Sequence, residues 1–132
     1  EENGYRLSFV RNQTEEICLK AVQQDGLSLK HVNNQTEDIC LAAVKQNSYA
    51  LQYVLNQTEK ICLVAVEHNG YLLRFVNDQT EDICLAAVKQ NGMALKYVKN
   101  QTREICFEAV GQNQDAKEYI KITIIFKKSA RN

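Results

Sequence analysis

The chain has no excess of either charge, no long apolar run, no paired-cysteine motif and only two histidines. Sixteen basic side chains against sixteen acidic ones argue against a large nucleic-acid or anionic-membrane footprint, because those partners bind through surplus Lys and Arg. No apolar stretch approaches the roughly 20 residues needed to span a bilayer, so a membrane helix is excluded. No Cys-x-x-Cys occurs, and zinc wants paired or clustered ligands. No Ser-His-Asp, Cys-His or paired-carboxylate arrangement has partners at sensible spacing, and no glycine-rich phosphate loop is present. The sequence therefore offers no catalytic residue, no metal ligand and no cofactor site. It also has no signal peptide or initiator Met. It opens at Glu1-Glu2-Asn3-Gly4, inside a repeat, and reads as an excised fragment or processed form with further repeats possible upstream.

What the chain does have is a period. Its five cysteines stand at 18, 40, 62, 84 and 106, each 22 residues from the next. Asn-Gln-Thr begins at 12, 34, 56 and 100, with Asp-Gln-Thr at 78. Self-similarity at a fixed short period marks a repeat architecture. Five copies follow: 3–24, 25–46, 47–68, 69–90 and 91–112. One cysteine per repeat, flanked by Ile and by Leu or Phe, does not make a disulfide framework. Equivalent positions on stacked helices lie about 8–10 Å apart, beyond the ~7 Å limit for bridging. Each Cys reads as a small buried apolar side chain, which favours a reducing, intracellular setting.

Within each copy, Thr14, Thr36, Thr58, Thr80 and Thr102 are placed to cap a helix, and the charged, mainly acidic pair that follows suits its N-terminus. Ile17, Cys18, Leu19, Ala21 and Val22 sweep a wide apolar arc at about 100° per residue, which predicts a helix of about three turns over 14–24 and its equivalents. Gly after the last apolar residue is expected to stop it in a left-handed conformation, and Asn12 and its equivalents to end the shorter first helix the same way. That shorter helix, such as Tyr5 to Val10, carries two apolar stripes. Leu7, Leu29, Leu51, Leu73 and Leu95 pair with the Val three residues on. Opposite them run Tyr5/Phe9, Leu27/His31, Tyr49/Tyr53, Tyr71/Phe75 and Met93/Tyr97. Two opposed apolar faces need a neighbour on each, and stacked repeats supply both. The expectation is all-α: an α-solenoid of five 22-residue helix-turn-helix repeats with a C-terminal cap. A continuous right-handed coiled coil, the alternative for a period of twice 11, is opposed by the Asn-Gly and Asn-Gln-Thr breaks.

The domain division expected is 1–112 for the repeats and 113–132 for a degenerate capping helix and basic tail. Asn113 to Lys121 keeps the first-helix register, but Lys117 replaces the core Leu and Asp115 takes an aromatic slot, as the outward side of a cap requires. Ile122 to Phe126 is β-branched and apolar, either folding back over the last repeat or forming a strand. Lys127, Lys128 and Arg131 make a short basic tail.

The unit seen almost whole at 91–112, from Asn91-Gly92 through Asn100-Gln101-Thr102 and Ile105-Cys106 to Gln112, resembles a tandem-repeat family known as domain of unknown function 4116. The resemblance covers 3–112. It implies a helical repeat module within larger proteins, chiefly of giant viruses and host-associated bacteria, and it brings no catalytic residues with it.

Asn12, Asn34, Asn56 and Asn100 match the N-glycosylation acceptor pattern, but Asp78 fills the same place without being an acceptor. A helix-end role accounts for all five. His31 occupies an aromatic slot and His68 a Gln slot, which reads as structural substitution. A search for copies more apolar than the rest singles out the middle repeat. Leu55 stands where others carry Arg11, Asn33, Asn77 and Lys99. Val64 stands where others carry Lys20, Ala42, Ala86 and Glu108, with Lys60 nearby in place of an acid. Ser8, Lys30, Gln52, Arg74 and Lys96 form a variable outward ridge. The function expected is a non-enzymatic module for protein–protein interaction or scaffolding. Its candidate contacts are Leu55, Val64, Lys60, Gln52, Arg74 and Lys96, its setting intracellular, and its open ends able to self-associate. Two alternatives stand beside it. One is a solenoid for single-stranded nucleic acid, to which Arg74, Lys96 and Lys99 give a hint. The other is a module that positions a larger enzyme or effector.

Overall fold

The structure, a computed structural model, describes residue 7 and residues 12–121. Tyr5, Ser8, Phe9, Val10 and Arg11, and the tail from 122 to 132 with its fold-back or strand alternatives, lie outside the described residues. Over residues 12–121, ten helices of two kinds alternate. Five α-helices of ten residues run Glu15–Gln24 (α1), Glu37–Gln46 (α2), Glu59–His68 (α3), Glu81–Gln90 (α4) and Arg103–Gln112 (α5). Five 3-10 helices of six residues run Gly26–His31 (η1), Ser48–Tyr53 (η2), Gly70–Phe75 (η3), Gly92–Tyr97 (η4) and Gln114–Tyr119 (η5). Consecutive α-helices pack on one another in one layer and consecutive 3-10 helices in a second. Among the described residues there is no strand. The chain is an all-α solenoid of helix-turn-helix units of 22 residues.

The α-helices begin where the sequence places them. In each, the Thr hydroxyl accepts from the amide three residues on, as Thr36 does from Ile39 at 3.2 Å. Their ends differ from expectation. No residue described has positive φ. Instead Asp25, Asn47, Asn69 and Asn91 are extended, with φ near −150°, and close one helix while opening the next. The Asp25 amide donates back to the Ala21 carbonyl, and its carboxylate accepts from Leu27 N at 3.1 Å. An Asx side chain that caps the next helix at once leaves no room for a left-handed stop. The Asn34 position likewise needs no left-handed turn, because Val32 already ends η1 in extended conformation.

The glycines serve packing. A Cβ on Gly26, Gly70 or Gly92 would run into the carbonyl oxygen of Ala43, Ala87 or Ala109 in the α-helix of the same hairpin. The two arms touch through their backbones at these points. The Gly26 amide donates to Gln46 Oε1 at 2.6 Å, Gly70 to Gln90 at 2.6 Å and Gly92 to Gln112 at 2.5 Å.

The first arm of each hairpin is a 3-10 helix, where apolar spacing alone does not separate it from an α-turn. Six residues between an Asx cap and an extended Val hold only i to i+3 bonds, such as Ser28 N to Asp25 O and Val32 N to Leu29 O. Leu29, Leu51, Leu73 and Leu95 are sealed in the core, with the following Val beside them. The second stripe is only half-covered, and Tyr49 is 42% exposed. With about three residues per turn, the fully buried slot beside the Leu is instead Ser28, Ala50, Leu72, Ala94 and Ala116.

Candidate interaction surface

The glutamine of Asn-Gln-Thr joins each repeat to the next. Gln35 Nε2 donates to the Tyr53 carbonyl at 2.9 Å, while its Oε1 accepts from the Leu55 amide at 3.0 Å and from the Cys40 thiol at 3.4 Å. Gln13 does the same to His31 O and Asn33 N, and Gln57 to Phe75 O and Asn77 N. Gln79 bonds Tyr97 O and Lys99 N, and Gln101 bonds Tyr119 O and Lys121 N. One side chain thus satisfies two backbone groups at the end of the neighbouring 3-10 helix. A second ladder runs beside it. Thr36, Thr58, Thr80 and Thr102 donate their hydroxyls to Glu15, Glu37, Glu59 and Glu81 of the preceding repeat at 3.1–3.4 Å. In α5 this glutamate is Arg103, and the residue that would carry the next Thr is Ile124. Lys121 then donates to the carbonyls of Val98 and Lys99 at 3.1 and 2.9 Å.

The core therefore leaves few groups free for chemistry. All five thiols are free and buried. Burial, with a smaller push from Glu37, raises Cys40 to about 11. Burial first, then nearby carboxylates, raise Cys62 and Cys84 to about 11 as well. Thiols held this far above neutrality are poor nucleophiles. Among the described residues, no group of three or more His, Cys, Asp or Glu gathers to hold a metal, and no buried side-chain nitrogen or oxygen lacks a hydrogen bond.

The sequence-predicted contacts fall on three separate surfaces. Leu55, 79% exposed, sits on the loop edge beside the Gln35 clamp. Lys60 is exposed on α3, and Val64 on the same helix is half-buried against the core. Gln52, Arg74 and Lys96 are exposed along the 3-10 layer. Of these six residues, only Arg74 and Lys96 join a cluster. Arg74 lies 4.8 Å from the centre of the Phe75 ring. Lys96 Nζ lies 5.1 Å from the Tyr97 ring, 5.9 Å from Tyr71 and 6.0 Å from Tyr119. Tyr71 and Tyr97 meet edge to face at 6.1 Å. The Arg74 guanidinium, with Lys96 beside it, lowers the Tyr97 hydroxyl from its ordinary value. Gln52 turns back to the Tyr49 carbonyl at 3.1 Å. The sequence did not reveal this clustering, because the aromatic stripe and the variable ridge look like separate positions until three residues per turn bring them together.

Other candidates take structural places. His31 is half-buried, its carbonyl held by Gln13, and His68 stands exposed where other hairpins carry the clamping Gln. Asn34, Asn56 and Asn100 are exposed, while the Thr of each motif is committed to its cap and to the glutamate ladder. The first and last described α-helices each expose an apolar side chain. Ile17 is 40% exposed although its equivalents in α2 to α5 are sealed, and Phe107 is 78% exposed.

Taken together, the alternating helices and ladders define a tandem helical-repeat protein. The profile of the family described as a domain of unknown function (DUF4116) matches residues 14–57, 58–103 and 80–121, and the chain belongs to that family. Each match begins at a capping Thr and spans about two hairpins, so a match can slip by one repeat, and the second and third overlap. No curated protein and no solved structure matches the chain.

Proposed function

We propose that the chain is a non-enzymatic repeat module that binds or organises a partner protein inside the cell. The observation that carries this is the division of labour in each repeat. The inter-repeat glutamines Gln13, Gln35, Gln57, Gln79 and Gln101 recur unchanged, while outward positions such as Lys30, Gln52, Arg74 and Lys96 change from copy to copy. Display of a varied surface on a fixed frame is how solenoids recognise partners. Free, buried thiols favour a reducing compartment. No described helix is long and apolar enough to cross a membrane. Ile17 and Phe107, exposed in the first and last described α-helices, would carry association between copies.

The test is affinity capture with the intact chain, with Leu55→Glu/Val64→Glu and with Arg74→Gln/Lys96→Gln. One protein recovered repeatedly, and lost in a variant that still melts cooperatively, supports the module and locates its surface. No protein retained by any form contradicts it.

A further inference from the structure

We propose that the exposed ridge of the 3-10 layer, centred on Arg74 and Lys96, docks an extended acidic segment of a partner protein. This rests on the module reading and gives it a surface and a partner chemistry. The first observation is sidedness. The five α-helices carry ten acidic and five basic residues. Helices η1 to η4 carry Lys30, Arg74 and Lys96 and no acidic residue at all. The α-layer is thus acidic and the stretch from η1 to η4 basic, and a negatively charged partner is steered to the second.

The second observation is that the cations are held in place. Lys96 rests against rings from three successive repeats, Arg74 against Phe75, and Lys30 6.0 Å from Tyr53 of the next repeat. Long side chains already ordered on aromatic faces lose less freedom on binding than free ones do. Arg74 over Phe75 and Lys96 over the adjacent Tyr97 ring bring two cations to neighbouring repeats of the same ridge. An incoming carboxylate can accept from either.

The same contacts choose between two polyanions. Single-stranded nucleic acid needs open ring faces on which to stack its bases. Here Arg74 lies over Phe75 and Lys96 over Tyr97, so one face of each ring at the strongest point of the ridge is taken by a cation. Spacing points the same way. Successive repeats lie about 8–10 Å apart. An extended peptide advances about 3.3 Å per residue, so carboxylates three residues apart fall in step with one cation per repeat. Gln52 interrupts the row after Lys30, and Asp115 and Glu118 on η5 close it beyond Lys96. The strip has its strongest point at Arg74 and Lys96 and a definite end.

The probe is a fluorescent peptide with Glu at every third position and neutral small residues between, titrated with the full chain at low and at physiological salt. Binding is expected at low salt, weaker as salt rises, and about tenfold or more weaker with Arg74→Gln/Lys96→Gln. Lys60→Gln/Lys89→Gln, which removes the same charge from the α-layer, is expected to bind as well as the parent or better. Thermal melts of both variants establish that they are folded. Equal binding by the ridge variant, no binding at low salt, or tighter binding of oligouridylate than of the peptide would each overturn the proposal. The module reading is tested separately: a partner captured through Leu55 or Val64 keeps it alive while the proposal of a basic ridge for an acidic segment falls.

Discussion

One linked pair of residues sets the arms of the hairpin at 47–68 apart from those at 25–46, 69–90 and 91–112. The neighbours join their arms through Gly and Gln: Gly26 with Gln46, Gly70 with Gln90, Gly92 with Gln112. The middle hairpin has Ser48 and His68 at those places. Where a Cβ enters the tight contact, the clamping amide has been replaced too, and η2 and α3 touch less extensively than the arms of the glycine hairpins. Yet the ladder between repeats passes through unbroken, for Gln35 grips Tyr53 and Leu55, and Gln57 grips Phe75 and Asn77. The lesson is one of rank. A hairpin can lose the bond between its own arms, but every hairpin is gripped by its neighbours.

The largest effect that sharpens this contrast is expected from Gly70→Ser. The new Cβ meets the Ala87 carbonyl, a backbone atom that cannot swing aside, and overpacking of this kind costs about 3 kcal/mol. Chemical denaturation measures it. Combining it with Gln90→His, which copies the middle hairpin, is expected to cost less than the two changes summed. Strict additivity would show that Ser48 and His68 are unrelated.

Next comes Gln57→Ala. It strips partners from the Phe75 carbonyl and the Asn77 amide, for a loss of about 2 kcal/mol. Gln79→Ala, in a glycine hairpin, is expected to cost the same, since both act between repeats. A much smaller cost at Gln57 would break the comparison by making the middle joint loose.

Ser48→Gly/His68→Gln restores the common pair, and a gain of about 1 kcal/mol is expected in the same denaturation assay. The smallest effect at neutral pH belongs to the thiols. Cys40, Cys62 and Cys84 are raised from 9.0 to about 11. The unfolded chain then ionises first, so stability is full below pH 9 and falls as pH rises from 9 to 11. Melts across that range check the sign, and serine in place of Cys62 removes its share.

Much of the frame could be read before any coordinates, because its signals are local. A capping Thr, an acidic first turn and an apolar arc lie within one turn or two of each other. The glutamine was opaque for the opposite reason. Gln35 finds its partners 18 and 20 residues away, a meeting that only the stacked chain creates. Six-residue segments such as Ser48–Tyr53 fit either helical period, so the 3-10 form is not legible in the sequence. Glycine just past the last apolar residue signals a left-handed helix stop, while the constraint on Gly26, the Ala43 carbonyl, belongs to the other arm. The contact surface was legible only as unrelated variable positions; Arg74 and Lys96 meet around Tyr97 through packing between repeats.

Hydrogen exchange at the amides of Leu55, Asn77 and Lys99 tests the inter-repeat grip most directly. These residues are exposed on loops, yet their amides donate to Gln35, Gln57 and Gln79 at 2.9–3.0 Å. Interlocked repeats predict that all three exchange as slowly as the core amides of Cys62 and Cys84, opening only when the stack unfolds. Exchange at the rate of free loop amides, with the helices still protected, would contradict it.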